Sequence, residues 1–220
     1  MPAACLTIFD CDGVLVDSEP LAAKAYVLVY GRHGMAIEAS LIGRCVGLKQ
    51  ADIIARIEEE TGHRLAEDHQ GELWQTLKGL FSQALAPTPG LQAFLGRHDS
   101  RPEATRAVAS SSHLERIHHS LGVTGLLEGF GDQIFSSSMV ARGKPAPDLF
   151  LLAAERCGAA PHACTVFEDS PFGIIGAKAA GMRAIGYIGA SHVGPEHADV
   201  LLKAGADAVI ASWEEADGLF

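Results

Sequence analysis

The chain has 220 residues, 48% of them hydrophobic, and carries 17 Lys plus Arg against 27 Asp plus Glu for a formal charge of −10. That composition excludes a disordered chain, and the length suits one large domain or a main domain with a small insertion. The acidic balance argues against a nucleic-acid or anionic-membrane surface. It leaves an anionic small molecule open, because a metal and a few local cations reverse the field inside one cleft.

Cysteines at positions 5, 11, 45, 157 and 164 form no CxxC pair and no metal-ligand spacing. Their scatter predicts reduced thiols in a cytoplasmic protein. The N-terminus lacks a basic segment followed by an apolar stretch, and no apolar run approaches the ~18–20 residues of a membrane span.

In chain order, residues 4–9 form a short apolar run ending at Asp10 and predict a buried strand. From Glu19 to about Ala86 the patterning is helical only, near 19–31, 50–60 and 67–85, and Pro87-Thr88-Pro89-Gly90 closes the stretch. Trp74, Leu77 and Phe81 fall at helical spacing and read as core of this segment. Beyond it, strands at 106–110, 163–167 and 183–188, with a weaker one at 207–211, alternate with helices near 90–98, 113–121, 147–157, 171–180 and 195–204. Ser136-Ser137-Ser138-Met139 reads as a loop, and Ala190-Ser191-His192 as a plain loop, with a place lining the cleft as its alternative. Continuous apolar strands alternating with helices predict an α/β fold with a parallel sheet covered on both faces, its ligands at the carboxyl ends of the strands. The expected division is a core of residues 1–17 and 88–220 with a helical cap, residues 18–87, inserted after the first strand.

Four stretches carry chemistry-bearing side chains. In Phe9-Asp10-Cys11-Asp12-Gly13-Val14-Leu15, the acids two apart point to one side of an extended backbone and invite a hard cation with oxygen ligands. A calcium loop is excluded by Val14 and Leu15, and a solvated pair of acids is the plain alternative for this spacing alone. Ser110, followed by Ser111, Ser112 and His113, ends a strand where hydroxyls and free helix amides hold a phosphate oxygen or simply cap the helix. Lys144, in Gly143-Lys144-Pro145, projects from a loop and would neutralise a bound phosphate, although most lone lysines are merely solvated. Glu168-Asp169, directly after Thr165-Val166-Phe167, place a second acidic pair at a second strand end, within reach of a metal shared with Asp10.

These four motifs in this order resemble the haloacid dehalogenase superfamily, over the whole chain. The insertion point resembles the helical-cap branch that includes beta-phosphoglucomutase, phosphoglycolate phosphatase and 6-phosphogluconate phosphatase. The resemblance implies a Rossmann-like core, a Mg2+ cofactor, and a small phosphorylated metabolite as partner. It implies Asp10 as nucleophile and metal ligand, and Asp12 as acid, then base, and metal ligand through its carbonyl. Ser110, Ser111 and Lys144 would bind the phosphoryl group, Asp169 would complete the metal site, and Glu168 would support it.

Asp12 separates the chain from the dehalogenase branch and from the carbon–phosphorus hydrolase branch, which lack an acid there. The mutase branch uses a histidine and a cap arginine where Ala22 and Gln50 stand, which favours hydrolysis of a sugar or sugar-acid phosphate over mutase activity. Lys49 and Arg44, with Lys78, are candidate cap contacts to substrate or plain surface charges. A catalytically silent phosphometabolite-binding protein is the alternative from another class. A monomer or weak homodimer is expected, with no nucleic-acid or membrane partner.

Overall fold

The computed structural model describes residues 5–45, 48, 50–101 and 104–219. Strand β1 (Cys5–Phe9) leads into helices α1 (Glu19–Arg32), α2 (Ala39–Gly43), α3 (Gln50–Thr61) and α4 (Gln70–Ala84), and then α5 (Leu91–Asp99). Next come β2 (Ala104–Ser110), α6 (Leu114–Val123), α7 (Leu127–Phe130), β3 (Ile134–Ser136) and α8 (Asp148–Arg156). β4 (Cys164–Glu168), α9 (Pro171–Ala179), β5 (Arg183–Tyr187), α10 (His197–Lys203), β6 (Ala208–Ile210) and α11 (Trp213–Ala216) complete the fold. No helix among the described residues is long and apolar enough to cross a membrane.

The strands form one six-stranded sheet in the order β3-β2-β1-β4-β5-β6, and every pairing is parallel. This is the parallel α/β sheet that the alternation predicts, with the Rossmann-like topology that the family resemblance implies. The chain moves outward from β1 through β2 to β3, then crosses back to place β4 on the other side of β1. The order therefore reverses between β1 and β4, and the crevice beyond their carboxyl ends is where open α/β sheets bind ligands.

Both sheet faces are buried, which explains why the strands read as unbroken apolar runs. Leu6 and Ile8 of β1 pack with Ala107, Leu149, Phe150, Val166 and Ile174 on one face. Phe9 packs on the other with Phe94, Phe167 and Trp213. Trp213 stacks on Phe94 and Tyr187 at centroid distances of 4.9 and 4.6 Å, and its Nε1 donates to Thr88 Oγ1, 2.9 Å away.

Residues 19–84 contribute four helices with a cluster of their own around Val29, Tyr30, Ile42, Ile57 and Leu73. The connecting segments that leave and re-enter the sheet layer are tied together. Asp17 N–H donates to the Ala86 carbonyl (3.1 Å) and Thr88 N–H to the Leu15 carbonyl (3.0 Å), while Val16 and Pro87 form an antiparallel bridge. Leu77 and Phe81 of α4 do not stay within that helical cluster. They join Ile117 and Leu121 of α6 in the cluster containing Phe9, so α4 also packs against the sheet layer.

Four short elements have no counterpart in the sequence pattern: α2, α7, β3 and α11 span 5, 4, 3 and 4 residues. None completes enough periods to register as helix or strand. Ile134 and Phe135 pair with Val108 and Ala109 as an added edge strand, and Ser136, expected in a loop, pairs with Ser110 as its last residue.

Candidate active site

The parallel register carries the two acidic pairs to one place. Phe9 lies opposite Phe167, and Asp10 N–H donates to the Phe167 carbonyl at 3.0 Å, extending the ladder by one step. Asp10 and Glu168 therefore emerge side by side at the reversal point, each buried, with Asp169 next to them. Lys144 arrives from the loop before α8, and its ammonium donates to Asp10 Oδ1 (2.5 Å), the Ala109 carbonyl (2.8 Å) and Glu168 Oε1. The lysine side chain is only 3% exposed, which sets it apart from a solvated surface lysine.

Electrostatics here are unbalanced. Burial raises the Asp10 pKa well above the ordinary carboxylate value; Lys144 opposes this, and Glu168, Asp169 and Asp12 add to it. Burial likewise raises Glu168, again against Lys144. One ammonium thus faces the carboxyls of Asp10, Glu168 and Asp169, whose ligand atoms lie within 4.8 Å of one another. A cluster of this kind, all hard oxygen, fits a divalent cation such as Mg2+. Asp169 Oδ2 agrees with that fit: it is buried without a hydrogen-bond partner. His192 Nε2 sits 3.2 Å from it, at ion-pair distance but without hydrogen-bond alignment. His197 bonds the Asp169 carbonyl through Nε2 (2.6 Å) and anchors the residue's backbone.

Two glycines are required by this crowding. Gly13 has φ +77°, and a Cβ there would stand 1.9 Å from Asp169 Oδ2. A Cβ on Gly173 would lie 1.9 Å from the Glu168 carboxyl carbon. Gly173 N–H instead donates to Ser170 Oγ (3.1 Å), which caps α9 and also donates to Glu168 Oε2 (3.0 Å).

Asp12 faces away from this cluster into a clamp. Its Oδ1 accepts from Ser18 Oγ (2.7 Å) and Arg116 Nη2 (2.7 Å), and its Oδ2 from Ser112 Oγ (2.6 Å). Burial pushes its pKa up, but Arg116, Ser112 and Ser18 outweigh burial and leave it below the ordinary value. Ser110 is buried and its hydroxyl accepts from Ser112 N–H at 3.1 Å, so it shapes the turn into α6. Ser136 and Ser137 donate to the carbonyls of Ser112 and Ser111 (2.7 and 2.8 Å), pinning that turn.

Above these groups lies a cleft of about 520 Å3 between the helices of residues 19–84 and the sheet layer. Asp10, Asp12, Ser110, Ser111, Lys144 and Asp169 all line it. Ala22, Tyr26, Gln50 and Trp74 form its upper wall, and Arg116 and Glu19 its side. Trp74, expected in the cap core, packs half-buried against the cluster of Leu77, Phe81 and Ile117 and also lines the cleft. Arg44 is not brought in: it is 58% exposed and paired with Glu60 at 2.5 Å. Lys78 pairs with Glu115 at 3.2 Å. Lys49 lies outside the described residues.

Sequence reasoning gave no role to Ser18, Glu19 and Arg116, named Ser112 only as a neighbour of Ser110, and left His192 in a loop. Glu19 has the largest measurable consequence. Burial pushes its carboxyl up to about 7 from 4.5, with Asp12 adding and Arg116 opposing. Between those values the unfolded chain releases its proton first, so the folded state loses stability as pH rises, and the penalty is complete above about pH 7. Glu19→Gln removes the penalty. In metal-free urea unfolding it is expected to gain about 1–3 kcal/mol over wild type at pH 8, discounted for partial exposure, and much less at pH 5. An equal difference at both pH values would contradict this burial account.

Comparison with known proteins agrees with the geometry. A haloacid dehalogenase-like hydrolase family model matches residues 6–181, and the chain belongs to that family. It is 33% identical to fructose-1-phosphate phosphatase YqaB of Escherichia coli (strain K12) across 81% of this chain and 93% of that protein. It is 30% identical to the 6-phosphogluconate phosphatase of the same organism across 85% and 84% of the two chains. Among solved structures, the conserved haloacid dehalogenase-like protein ATU0790 of Agrobacterium tumefaciens superposes with a TM-score of 0.83 at 36% identity, covering 98% of this chain and 96% of that one.

Proposed function

We propose that the chain is a Mg2+-dependent phosphatase that hydrolyses a small sugar or sugar-acid phosphate through a phosphoryl group carried on Asp10. The observation that carries this reading is the convergence of Asp10, Lys144 and the adjacent Glu168 and Asp169, from three separate stretches of chain, at the reversal point of the sheet. The phosphatase names of the two curated relatives support it.

Carboxylate and phosphate repel, so attack by Asp10 requires positive charge between them. Lys144 supplies part of it from within the protein. Asp10, the Asp12 carbonyl and Asp169 would hold Mg2+, which when bound neutralises charge on the transferring phosphoryl group. Ser110, Ser111 and the first amides of α6 orient the phosphoryl oxygens. Asp10 forms the new bond to phosphorus as the ester oxygen departs, and Asp12 gives that oxygen a proton. The same Asp12, now a carboxylate, takes a proton from the water that attacks phosphorus and frees Asp10. Arg116, Ser112 and Ser18 favour the carboxylate form that this second step needs.

Ala22 and Gln50 line the cleft where the mutase branch has a histidine and an arginine. At those two positions, among the described residues, the groups used there to turn a bisphosphate around are replaced, which supports hydrolysis.

Asp12→Ala separates the two half-reactions. With an alkyl phosphate, turnover should fall about 10^2–10^4-fold, because the leaving alkoxide has no proton donor. With p-nitrophenyl phosphate, a burst near one equivalent of nitrophenolate followed by slow release is expected, since departure needs no acid while hydrolysis still needs the base. Equal losses on both substrates without a burst would count against the role given to Asp12. The function itself is tested by phosphate release from a panel of phosphorylated metabolites with Mg2+. The panel includes fructose 1-phosphate, 6-phosphogluconate, phosphoglycolate and beta-glucose 1-phosphate, with product analysis for isomers. Isomerisation without net phosphate release would point to a mutase, and ligand binding without turnover to a silent binder.

A further inference from the structure

We propose that His33, His69 and Glu72 form a second metal site, of a zinc type, that joins the end of α1 to the start of α4. His33 follows α1 as its C-terminal cap residue, His69 precedes α4, and Glu72 lies in the first turn of α4. One ligand atom from each lies within 4.8 Å of the other two. His33 Nε2 is already 3.1 Å from Glu72 Oε1, and the two imidazoles stack at 3.8 Å between centroids.

The donor set decides the class of ion. Two imidazoles and one carboxylate match zinc and similar borderline ions, whereas the cluster at Asp10, Glu168 and Asp169 is all oxygen and suits magnesium. Atoms each about 2.1 Å from one ion are at most about 4.2 Å apart, so binding draws the three groups inward only slightly. The rings are nearly parallel, at 12°, so their nitrogens converge only if one ring turns. His69 has the freedom to turn, since its side chain is 37% exposed. Asp68 Oδ2, 3.8 Å from His69 Nε2, lies close enough to support the turned ring or complete the shell. Arg32, the nearest cation in sequence, is directed to Thr76 Oγ1 at 2.9 Å.

The position gives the site a consequence. α1 carries Glu19, Ala22 and Tyr26 and α4 carries Trp74 and Leu77, all of which line the cleft about the candidate catalytic groups. An ion bridging the end of α1 to the start of α4, where Gln70 and Gly71 also line the cleft, fixes the relative position of these helices and with it the shape of the upper wall.

The test is calorimetric titration of ZnCl2 into the untagged full chain saturated with Mg2+, for wild type, Asp169→Asn, His33→Ala, His69→Ala and Glu72→Gln. One equivalent should bind wild type and Asp169→Asn alike. Affinity should fall by roughly tenfold or more in each of the other variants, since losing a ligand costs no less than losing its outer-shell support. Co2+ should give visible absorption bands of an imidazole-bound, low-coordinate ion that disappear with the histidines. If a histidine variant fails to fold, ring-nitrogen shifts of His33 and His69 on adding zinc to wild type provide the same test. No zinc uptake in wild type, uptake abolished by Asp169→Asn, uptake surviving both histidine variants, or unmoved ring nitrogens would each overturn the proposal.

Discussion

Asp10→Asn is expected to lower kcat for phosphate release by about 10^4-fold or more, the scale on which an attacking group is lost. An amide is a poor nucleophile for phosphorus. Glu168 is bound by Lys144 and Ser170, while His197 anchors only the backbone carbonyl of Asp169, whose carboxylate faces His192 Nε2 at 3.2 Å. The fold should survive. In wild type, burial and three neighbouring acids raise the Asp10 pKa. A raised carboxyl makes the folded state lose stability as pH climbs past the ordinary carboxylate value, and the neutral amide removes that loss. Lys144 retains Glu168 and the Ala109 carbonyl as partners. Activity and metal-free stability at pH 7–8 are thus expected to move in opposite directions. Wild-type turnover in Asp10→Asn, measured by phosphate release with Mg2+, would refute the role given to Asp10.

Lys144→Met should be the more damaging change to the structure. The ammonium is the one cation in contact with both Asp10 and Glu168 among the described residues, and its own pKa is raised by those two acids despite the burial that opposes it. Removing one partner from a buried ion pair costs about 3–5 kcal/mol, because the remaining charge is uncompensated. Turnover should fall by about 10^2–10^3-fold through loss of a cation at the transferring group. Mg2+ should restore part of the stability, so the gain in unfolding temperature on adding Mg2+ should be larger in Lys144→Met than in wild type. An equal or smaller gain would mean that the metal and Lys144 do not serve the same acids.

How much of this was legible in the sequence depended on the range of the interaction. The strand ends carrying Asp10 and Glu168 are readable because both faces of β1 and β4 are buried, leaving apolar runs that stop at the acids. Lys144 was visible only through its loop context; its burial depends on Asp10, 134 residues earlier in the chain. Arg116 reads as an ordinary helical arginine, and its bond to Asp12 spans 104 residues, a pairing that local periodicity does not carry. His192 sits in a loop with no pattern, and only the fold brings it to Asp169. Arg44 failed for the opposite reason: a cation near the cleft in sequence found Glu60 of α3 instead.

The most direct test uses Asp12→Ala, whose phosphorylated form should accumulate because water lacks its base. After p-nitrophenyl phosphate and Mg2+ are added and the reaction is quenched, borohydride reduces an aspartyl phosphate to homoserine. Peptide mass spectrometry should find homoserine at position 10, only when Mg2+ was present, and none in the Asp10→Asn, Asp12→Ala double variant. Phosphate release with no modification at position 10, or with homoserine at another acid, would contradict covalent transfer through Asp10.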